Sequence, residues 1–445
     1  MWWRHVLEGS GHPGLDTTGA RGGALASQRP STDPKERQMT VGAFLHPYAK
    51  PTKPDADYLC IVRGAGARVW DRAGNEYIDG MASLWYANVG YGRPEIAAAV
   101  AAQMGRIAAF HCFDPFSVEP AEQLAARLAE LAPMPRARVF FTSSGSEAVD
   151  SALKLARIAH VRAGHPERTV IVSRSRGYHG VTYGGLSAQG LPLNQEGFGP
   201  FVEGMVNLPA DDLEAIAAFM AERGHEVAAI LAEPVQGAGG VHLPPDGYLE
   251  GLRRLADQHG AFLILDEVIC GFGRLGHWWG AQRFGVRPDL VTFAKAVTSG
   301  YIPLGGVLVG EAVRAPLEGD DTWMLRHGHT YSGHPTACAA GLANLDVIDH
   351  DGLVARAGEI GARLFGGFRA LAADGALAEV RSDGAVGAIR VAAGRDAFAV
   401  RDALLRQGVI TRAVNDETLT WCPPLVITDA EIDRIVDAVA ASVTN

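Results

Sequence analysis

The stretch DLVTFAKAVTSGYIPLGG, residues 289–306, sets Lys295 between Val291-Thr292-Phe293-Ala294 and Ala296-Val297. An ammonium among such neighbours loses hydration, which is tolerated only when the group is paired or put to use as a reactive amine. Lysine is also scarce: of the 40 lysines and arginines, only Lys35, Lys50, Lys53, Lys154 and Lys295 are lysine. Asp266 closes the run FLILD, where four apolar residues deliver a carboxylate that needs a cationic partner. The protonated ring nitrogen of a ligand would serve, and so would Lys295 in a structural ion pair. About one strand-helix-strand unit separates the two residues, which predicts that they sit on neighbouring strand ends.

Four further stretches carry candidate groups. In VFFTSSGSEAVDSALKLARIAH, residues 139–160, a strand ends at Ser143-Ser144-Gly145-Ser146, and Ser144 and Glu147 have capping-box spacing. Free N–H groups at such a helix start make a phosphate cradle, although an ordinary capped helix reads the same way. GYHG, residues 177–180, offers Tyr178 for stacking on a flat ligand, with His179 beside it, or else a turn with a core aromatic. HGHTYSGHP, residues 327–335, gathers three histidines around Thr330 and Ser332 but has no carboxylate or cysteine at ligand spacing, so no metal site is expected. Arg412, on a strand-like segment, is a candidate clamp for a carboxylate or simply a surface charge. A competing signal is GFGRLG, residues 271–276, which fits the GxGxxG pattern of a nicotinamide-dependent dehydrogenase. Its sequel, HWWGAQRFGVRPD, is aromatic and broken by Gly and Pro where a dinucleotide fold needs a helix.

The elements that must position these groups alternate. ARVWDRAGNEYIDG reads as a hairpin, and RVFFTSS, TVIVSR, VAAILAEPV, AFLILDEV, LVTFAK and GGVLVG are apolar strands set among helical stretches, one from Glu147 and one over 248–259. This pattern predicts an α/β fold with a mainly parallel sheet whose sites lie beyond the carboxyl ends of the strands. From about residue 350 a helix, a strand pair and a last amphipathic helix predict a smaller α+β domain. The expected division is a disordered tail at 1–38, an N-terminal segment at 39–85 contributing to the small domain, a large domain at 86–345 and a C-terminal domain at 346–445. The tail is rich in Gly, Pro, Ser and Arg without the apolar stretch of a secretory signal, and Met39 is a candidate start.

Composition narrows the class of partner. With 47% hydrophobic and 20% charged residues and no apolar run long enough to span a bilayer, the 445-residue chain reads as soluble and globular. A net charge of -10 gives no footprint for nucleic acid. The five cysteines are odd in number and widely spaced, which points to reduced thiols in the cytoplasm.

Taken together the motifs resemble the class III aminotransferases, fold type I pyridoxal phosphate enzymes that include the omega-transaminases. SGSEA, YHG, EPVQG, DEVICGFGR, FAKAVTSGYIPLGG and HTYSGHP follow one another in that family's order over roughly residues 45–440. The resemblance implies that Lys295 bonds the cofactor aldehyde and shuttles a proton, and that Asp266 keeps the pyridine nitrogen protonated. It implies Tyr178 and Val268 on the two ring faces, Ser144, Gly145 and Ser146 at the phosphate with Thr330 of a neighbouring subunit, and His179 and Glu233 close to the cofactor. MASLWYANVGYG and Arg412 resemble the pyruvate-using members, which implies that Trp85 shapes the amine pocket and Arg412 binds the keto acid carboxylate. The expected activity is ping-pong transfer of an amino group from a primary amine, diamine or omega-amino acid to pyruvate or a similar keto acid, in a homodimer with shared sites. A racemase, aminomutase or decarboxylase on the same fold is the alternative.

Overall fold

The computed structural model describes residues 42–444, so the tail read at 1–38 and the candidate start at Met39 lie outside the described residues. Residues 42–59 form a unit of turns in which the His46 ring stacks on Tyr58 at 3.8 Å. The rest of the chain forms a second unit that begins with an antiparallel meander of β1 (Ile61–Ala65), β2 (Arg68–Asp71) and β3 (Glu76–Asp79). The β2–β3 pair is the hairpin expected from ARVWDRAGNEYIDG.

Seven strands build the central sheet: β4 (Arg138–Thr142), β5 (Val170–Arg174), β6 (Met205–Leu208), β7 (Val227–Ala232), β8 (Phe262–Asp266), β9 (Leu290–Phe293) and β10 (Gly305–Val309), in the order β4-β10-β9-β8-β7-β5-β6. Neighbours from β9 to β6 are parallel, and β10 runs against both β9 and β4. Every residue of β5, β7, β9 and β10 is buried. Strands covered by helices on both faces read as unbroken apolar runs rather than alternating ones, as VAAILA and LVTF do. Alanine at half of VAAILA lets the covering helices approach closely.

The C-terminal part adds β11 (Leu377–Asp383), β12 (Val386–Val391), β13 (Val409–Ile410), β14 (Arg412–Ala413) and β15 (Thr418–Trp421). Four of these form an antiparallel sheet in the order β11-β12-β15-β14, while β13 pairs with β3 in parallel, Val409 opposite Ile78. Helices Leu353–Ala373 and Asp429–Thr444 occupy the segments expected to be helical. The helix expected from Glu147 starts two residues earlier, at Gly145, because Ser144 is its cap.

Between β8 and β9 the expected crossover helix shrinks to four residues, Gly280–Arg283. The two strands are nonetheless adjacent and parallel, with Asp266 opposite Thr292. GFGRLG lies in this connection as a tight turn, Phe272 N–H bonded to Trp278 O and Gly273 N–H to His277 O. No helix begins there to receive a pyrophosphate, and the Arg274 side chain is fully buried. The dinucleotide reading fails on that geometry.

Candidate active site

A cavity of about 390 Å³ opens beyond the carboxyl ends of β4, β5, β7, β8 and β9. Lys295 stands at its edge, two residues past the end of β9, in the 3-10 turn Lys295–Val297. The turn gives Lys295 a left-handed φ of 49°, a conformation that costs a non-glycine residue of order 1–3 kcal/mol. Asn344 holds it in place, donating its Nδ2 hydrogens to the carbonyls of Ala296 and Val297 at 2.9 and 3.0 Å. Burial pushes the Lys295 ammonium below the ordinary lysine range, against the pull of Asp266 and Glu233. The residue keeps partial exposure toward the cavity it lines.

Asp266 is not ion-paired with Lys295. Its Oδ2 accepts from His179 Nδ1 at 2.9 Å, and its Oδ1 accepts from Thr292 Oγ1 at 3.1 Å and from Val268 N–H at 3.2 Å. Three donors on a buried carboxylate satisfy both of its oxygens and fix its direction. His179, which the resemblance implied to be a cofactor contact, is buried and acts on the aspartate. Thr292 went unnoticed in the sequence; it faces Asp266 because the parallel register sets the two opposite each other.

The cradle follows from the β4-to-helix junction. Ser144 Oγ accepts from Glu147 N–H at 3.2 Å, and Glu147 Oε2 reaches back to Ser143 N–H at 2.7 Å. The first-turn amides of Gly145 and Ser146 have no intrahelical acceptor, and both residues line the cavity. A Cβ at Gly145 would stand 3.0 Å from Val268 Cγ1, tighter than ordinary contact, so the methyls of Val268 close one side of a slot at the helix start. Ser146 Oγ accepts from Val181 N–H at 3.0 Å and so ties the Tyr178-His179-Gly180 loop to the cradle.

Glu233 is buried at the end of β7, and its two oxygens accept from Tyr178 N–H at 3.0 Å and Gly237 N–H at 2.9 Å. Desolvation raises its pKa. Its contacts make it a brace for the Tyr178 loop. Glu267, beside Asp266, braces the far end of the connection through Gly280 N–H at 2.7 Å and Ala281 N–H at 2.6 Å.

Burial pushes the Glu267 carboxyl up from the ordinary glutamate value to about 7. The folded protein therefore binds this proton more tightly than the unfolded chain, so the group favours folding below pH 4.5 and loses that contribution as pH rises toward 7. The difference is about 3 kcal/mol. Denaturant unfolding of wild type and Glu267→Gln should show the stability advantage of wild type shrinking between pH 5 and pH 8; an advantage that grows with pH contradicts this account.

Two expected substrate residues sit apart from the cavity lining. Trp85 is 2% exposed and packs with Met81, Val235, Val241 and Ile269, and it is Tyr86 that lines the cavity, its ring against Gly300. Ala82, Ser83 and Trp85 have φ of 47°, 59° and 69°, and this coil turns the second aromatic, not the first, toward the site. Arg412 lies on β14, half-buried, and among the described residues no ion pair engages its guanidinium. Thr330 is exposed. Arg274 is the other residue the sequence undersold: it donates to Asn88 Oδ1 at 2.6 Å, Pro423 O at 2.7 Å and Ala385 O at 3.2 Å, joining three distant segments behind the site.

The residues present fit pyridoxal phosphate. They supply an amine of lowered basicity, a fixed carboxylate for a ring nitrogen, a slot closed by Val268 and a helix start with free amides. Comparison with known proteins agrees. The family described as aminotransferase class-III matches residues 49–443. An omega-aminotransferase of Caulobacter vibrioides is 38% identical, over 82% of this chain and 88% of the relative. A putrescine–pyruvate aminotransferase of Pseudomonas aeruginosa is 37% identical, over 84% and 88%. The crystal structure of an (S)-enantioselective omega-transaminase from Thermomicrobium roseum superimposes with a TM-score of 0.86 at 39% identity, covering 90% of this chain and 96% of that one.

Proposed function

The chain belongs to the class III aminotransferase family, whose members depend on pyridoxal phosphate, and on that premise we propose that it moves the amino group of a primary amine, diamine or omega-amino acid to pyruvate or a similar keto acid. The observation that carries this reading is a desolvated lysine and a triply bonded aspartate facing one cavity from adjacent strand ends. Pyruvate is favoured as acceptor by the P. aeruginosa relative named for it.

When bound, pyridoxal phosphate supplies an electron sink for the pair left behind as a proton leaves the substrate carbon. Lys295 Nζ would hold the cofactor's aldehyde end, and as a free amine it would be the base that takes a proton from the substrate carbon and returns it. Its lowered basicity keeps a share of the amine neutral for both tasks. Asp266, aimed by His179 and Thr292, would hold a proton at the pyridine nitrogen. Val268 and Tyr178 would bracket the ring, while the Gly145 and Ser146 amides with the Ser144 side chain would retain the phosphate. Glu233 positions Tyr178. Tyr86 takes the place in the amine pocket first expected of Trp85.

Arg412, whose guanidinium has no ion pair among the described residues, is the residue proposed to clamp the keto acid carboxylate. Arg412→Ala should raise the KM for pyruvate about 10- to 100-fold, the loss of a charge-assisted bidentate bond, and leave the KM for an uncharged amine unchanged. Equal changes in both would remove Arg412 from the site.

The working form is proposed to be a homodimer with Thr330 of each chain serving the other's phosphate. Support comes from exposed aromatics that a lone subunit has no reason to keep wet: Phe110, Phe113 and Phe116 cluster around His111, and Tyr331 next to Thr330 is 63% exposed. The same reading keeps the division into a lysine-bearing domain at 86–345 and a C-terminal domain at 346–445 joined by 39–85, supported by the β3–β13 pairing. Among the described residues no helix is long and apolar enough to cross a membrane. A cytoplasmic location is proposed from the five free thiols.

The test of the whole reading is an absorbance scan of the loaded protein between about 300 and 500 nm during addition of amines and then pyruvate, since the cofactor reports its own chemistry. A band that an amine shifts and pyruvate restores is the expected result. A band that no amine shifts, with release of carbon dioxide or loss of chirality instead, would replace transamination by decarboxylation or racemisation.

A further inference from the structure

Among the described residues the histidines of HGHTYSGHP belong to no cluster of three or more metal-ligating side chains, yet they are not idle. Lys154 Nζ lies 2.9 Å from His327 Nδ1, His327 Nε2 lies 3.0 Å from Ser151 Oγ, and Ser151 Oγ lies 3.2 Å from His329 Nε2. An ammonium only donates, so His327 Nδ1 accepts and its Nε2–H donates to Ser151, whose hydroxyl also bonds His329. Burial, with help from Lys154, lowers His327 to about 4, so the ring is neutral at neutral pH and Lys154, His327 and Ser151 bond in that one direction. The His327 ring also stacks on Phe140, centroids 5.1 Å apart and planes 11° from parallel.

The far root of the same loop is pinned too. Ser332 Oγ donates to Phe141 O at 2.8 Å and accepts from His329 N–H at 3.3 Å. These anchors belong to β4 and to the Gly145–Arg162 helix, the two elements whose junction forms this chain's own cradle, and Cys112 Sγ adds a longer contact to Gly333 O at 3.8 Å. Between the anchors, Thr330 and Tyr331 project into solvent.

We propose that Ser151, with His327 and Lys154, is a positioning residue for Thr330, fixing the loop that reaches the partner subunit's cofactor phosphate. One helix then serves two sites, its N-terminus holding the chain's own cofactor and its second and third turns holding the loop that completes the partner's. The inference rests on the proposed role of Thr330 in a homodimer.

Mixed dimers separate the two sites. One chain carries Lys295→Ala, so covalently held pyridoxal phosphate reports only the partner with Lys295, and Ser151→Ala is placed on one chain or the other. The readout is the rate at which that covalently held cofactor is lost to free phosphate during dialysis. With Ser151→Ala on the Lys295→Ala chain, whose loop serves the reporting site, loss should be about 10-fold faster, the loosening of one hydrogen bond to a charged group. With Ser151→Ala on the reporting chain itself, the rate should match wild type. Lys154→Met, at an exposed position where folding is not at risk, should show the same asymmetry with a smaller effect.

Faster loss only in the second arrangement, or equal loss in both, would overturn the proposal by showing that Ser151 acts through its own cradle. Thr330→Val run in the same two arrangements isolates the premise. If Thr330→Val speeds loss from the partner's site and Ser151→Ala does not, the positioning role falls and the dimer reading stands. If Thr330→Val has no effect on the partner's site, or the protein sediments as a monomer, both fall.

Discussion

Replacing Lys295 by alanine is expected to lower kcat by about 10⁴-fold or more while leaving the fold as stable as before, or more so. General acid-base catalysis alone accounts for roughly 10²- to 10⁴-fold, and Lys295 is also the group proposed to hold and release the cofactor. The stability half of the prediction follows from the setting. Burial depresses the ammonium, and the residue sits at φ 49°. Asp266 and Glu233 favour a charge there through space, but desolvation outweighs them, and the hydrogen bonds of Asp266 go to His179, Thr292 and Val268. Truncation removes the desolvation cost and keeps the backbone strain, so thermal unfolding of the variant without cofactor should match or exceed wild type. Lys295→Arg discriminates further. A guanidinium preserves the charge but cannot give up its proton, so it should be as inactive as alanine and less stable. A variant that loses stability in step with activity would mean that Lys295 is structural, and the reaction would need another base.

The sequence made the scaffold of this site legible wherever a strand was buried on both faces, because such strands announce themselves as apolar runs. VAAILA, FLILD and LVTF were each visible, and with them the strand ends that carry Glu233, Asp266 and Lys295. What an apolar run does not disclose is its neighbour. The partner of Asp266 was sought among cations, yet it is an imidazole from the β5 end and a threonine opposite in the β9 register. Adjacency of β8 and β9 was correctly anticipated from a crossover helix that is almost absent, since the connection is filled by the GFGRLG turn.

The aromatic pair Trp85-Tyr86 fails for a different reason. Alternation along a strand or a helical period assigns one of two consecutive side chains to a face only when the backbone is regular. Three left-handed residues precede Tyr86, so no period applies, and the tryptophan that looked like the pocket wall is core. Left-handed φ at Ala82, Ser83 and Trp85 has no glycine to signal it. Arg274 was hidden in the opposite way. Its three backbone and amide acceptors, from Asn88, Ala385 and Pro423, come from segments far apart in sequence, and inside a GxGxxG string it reads as a loop residue.

Asp266→Asn, the same shape without the charge, should cost about 10³-fold in kcat and less than tenfold in the affinity for cofactor phosphate. The magnitude is that of losing one preorganised electrostatic contact to charge that develops during the reaction. Two features of the site make it more damaging than a simple neutralisation. An asparagine presents one oxygen and one NH₂ to three donors, so either His179 or the Thr292 and Val268 pair meets a donor instead of an acceptor. If the NH₂ turns to His179, the imidazole must change tautomer to accept from it, and the ring that braced the aspartate becomes a weaker brace for a weaker group. The proposed phosphate contacts, by contrast, belong to the Ser144-Gly145-Ser146 turn, which shares no hydrogen bond with Asp266. Cofactor retention and catalysis should therefore separate in this variant. Equilibrium dialysis should find pyridoxal phosphate still held while single-turnover rates with an amine collapse. His179→Gln gives the intermediate case: the carboxylate keeps its charge and its bonds to Thr292 and Val268 but loses one of three constraints on its direction, so a loss of about 10-fold is expected. A larger loss for His179→Gln than for Asp266→Asn would mean that the histidine touches the cofactor directly and that its bond to Asp266 serves to orient the imidazole.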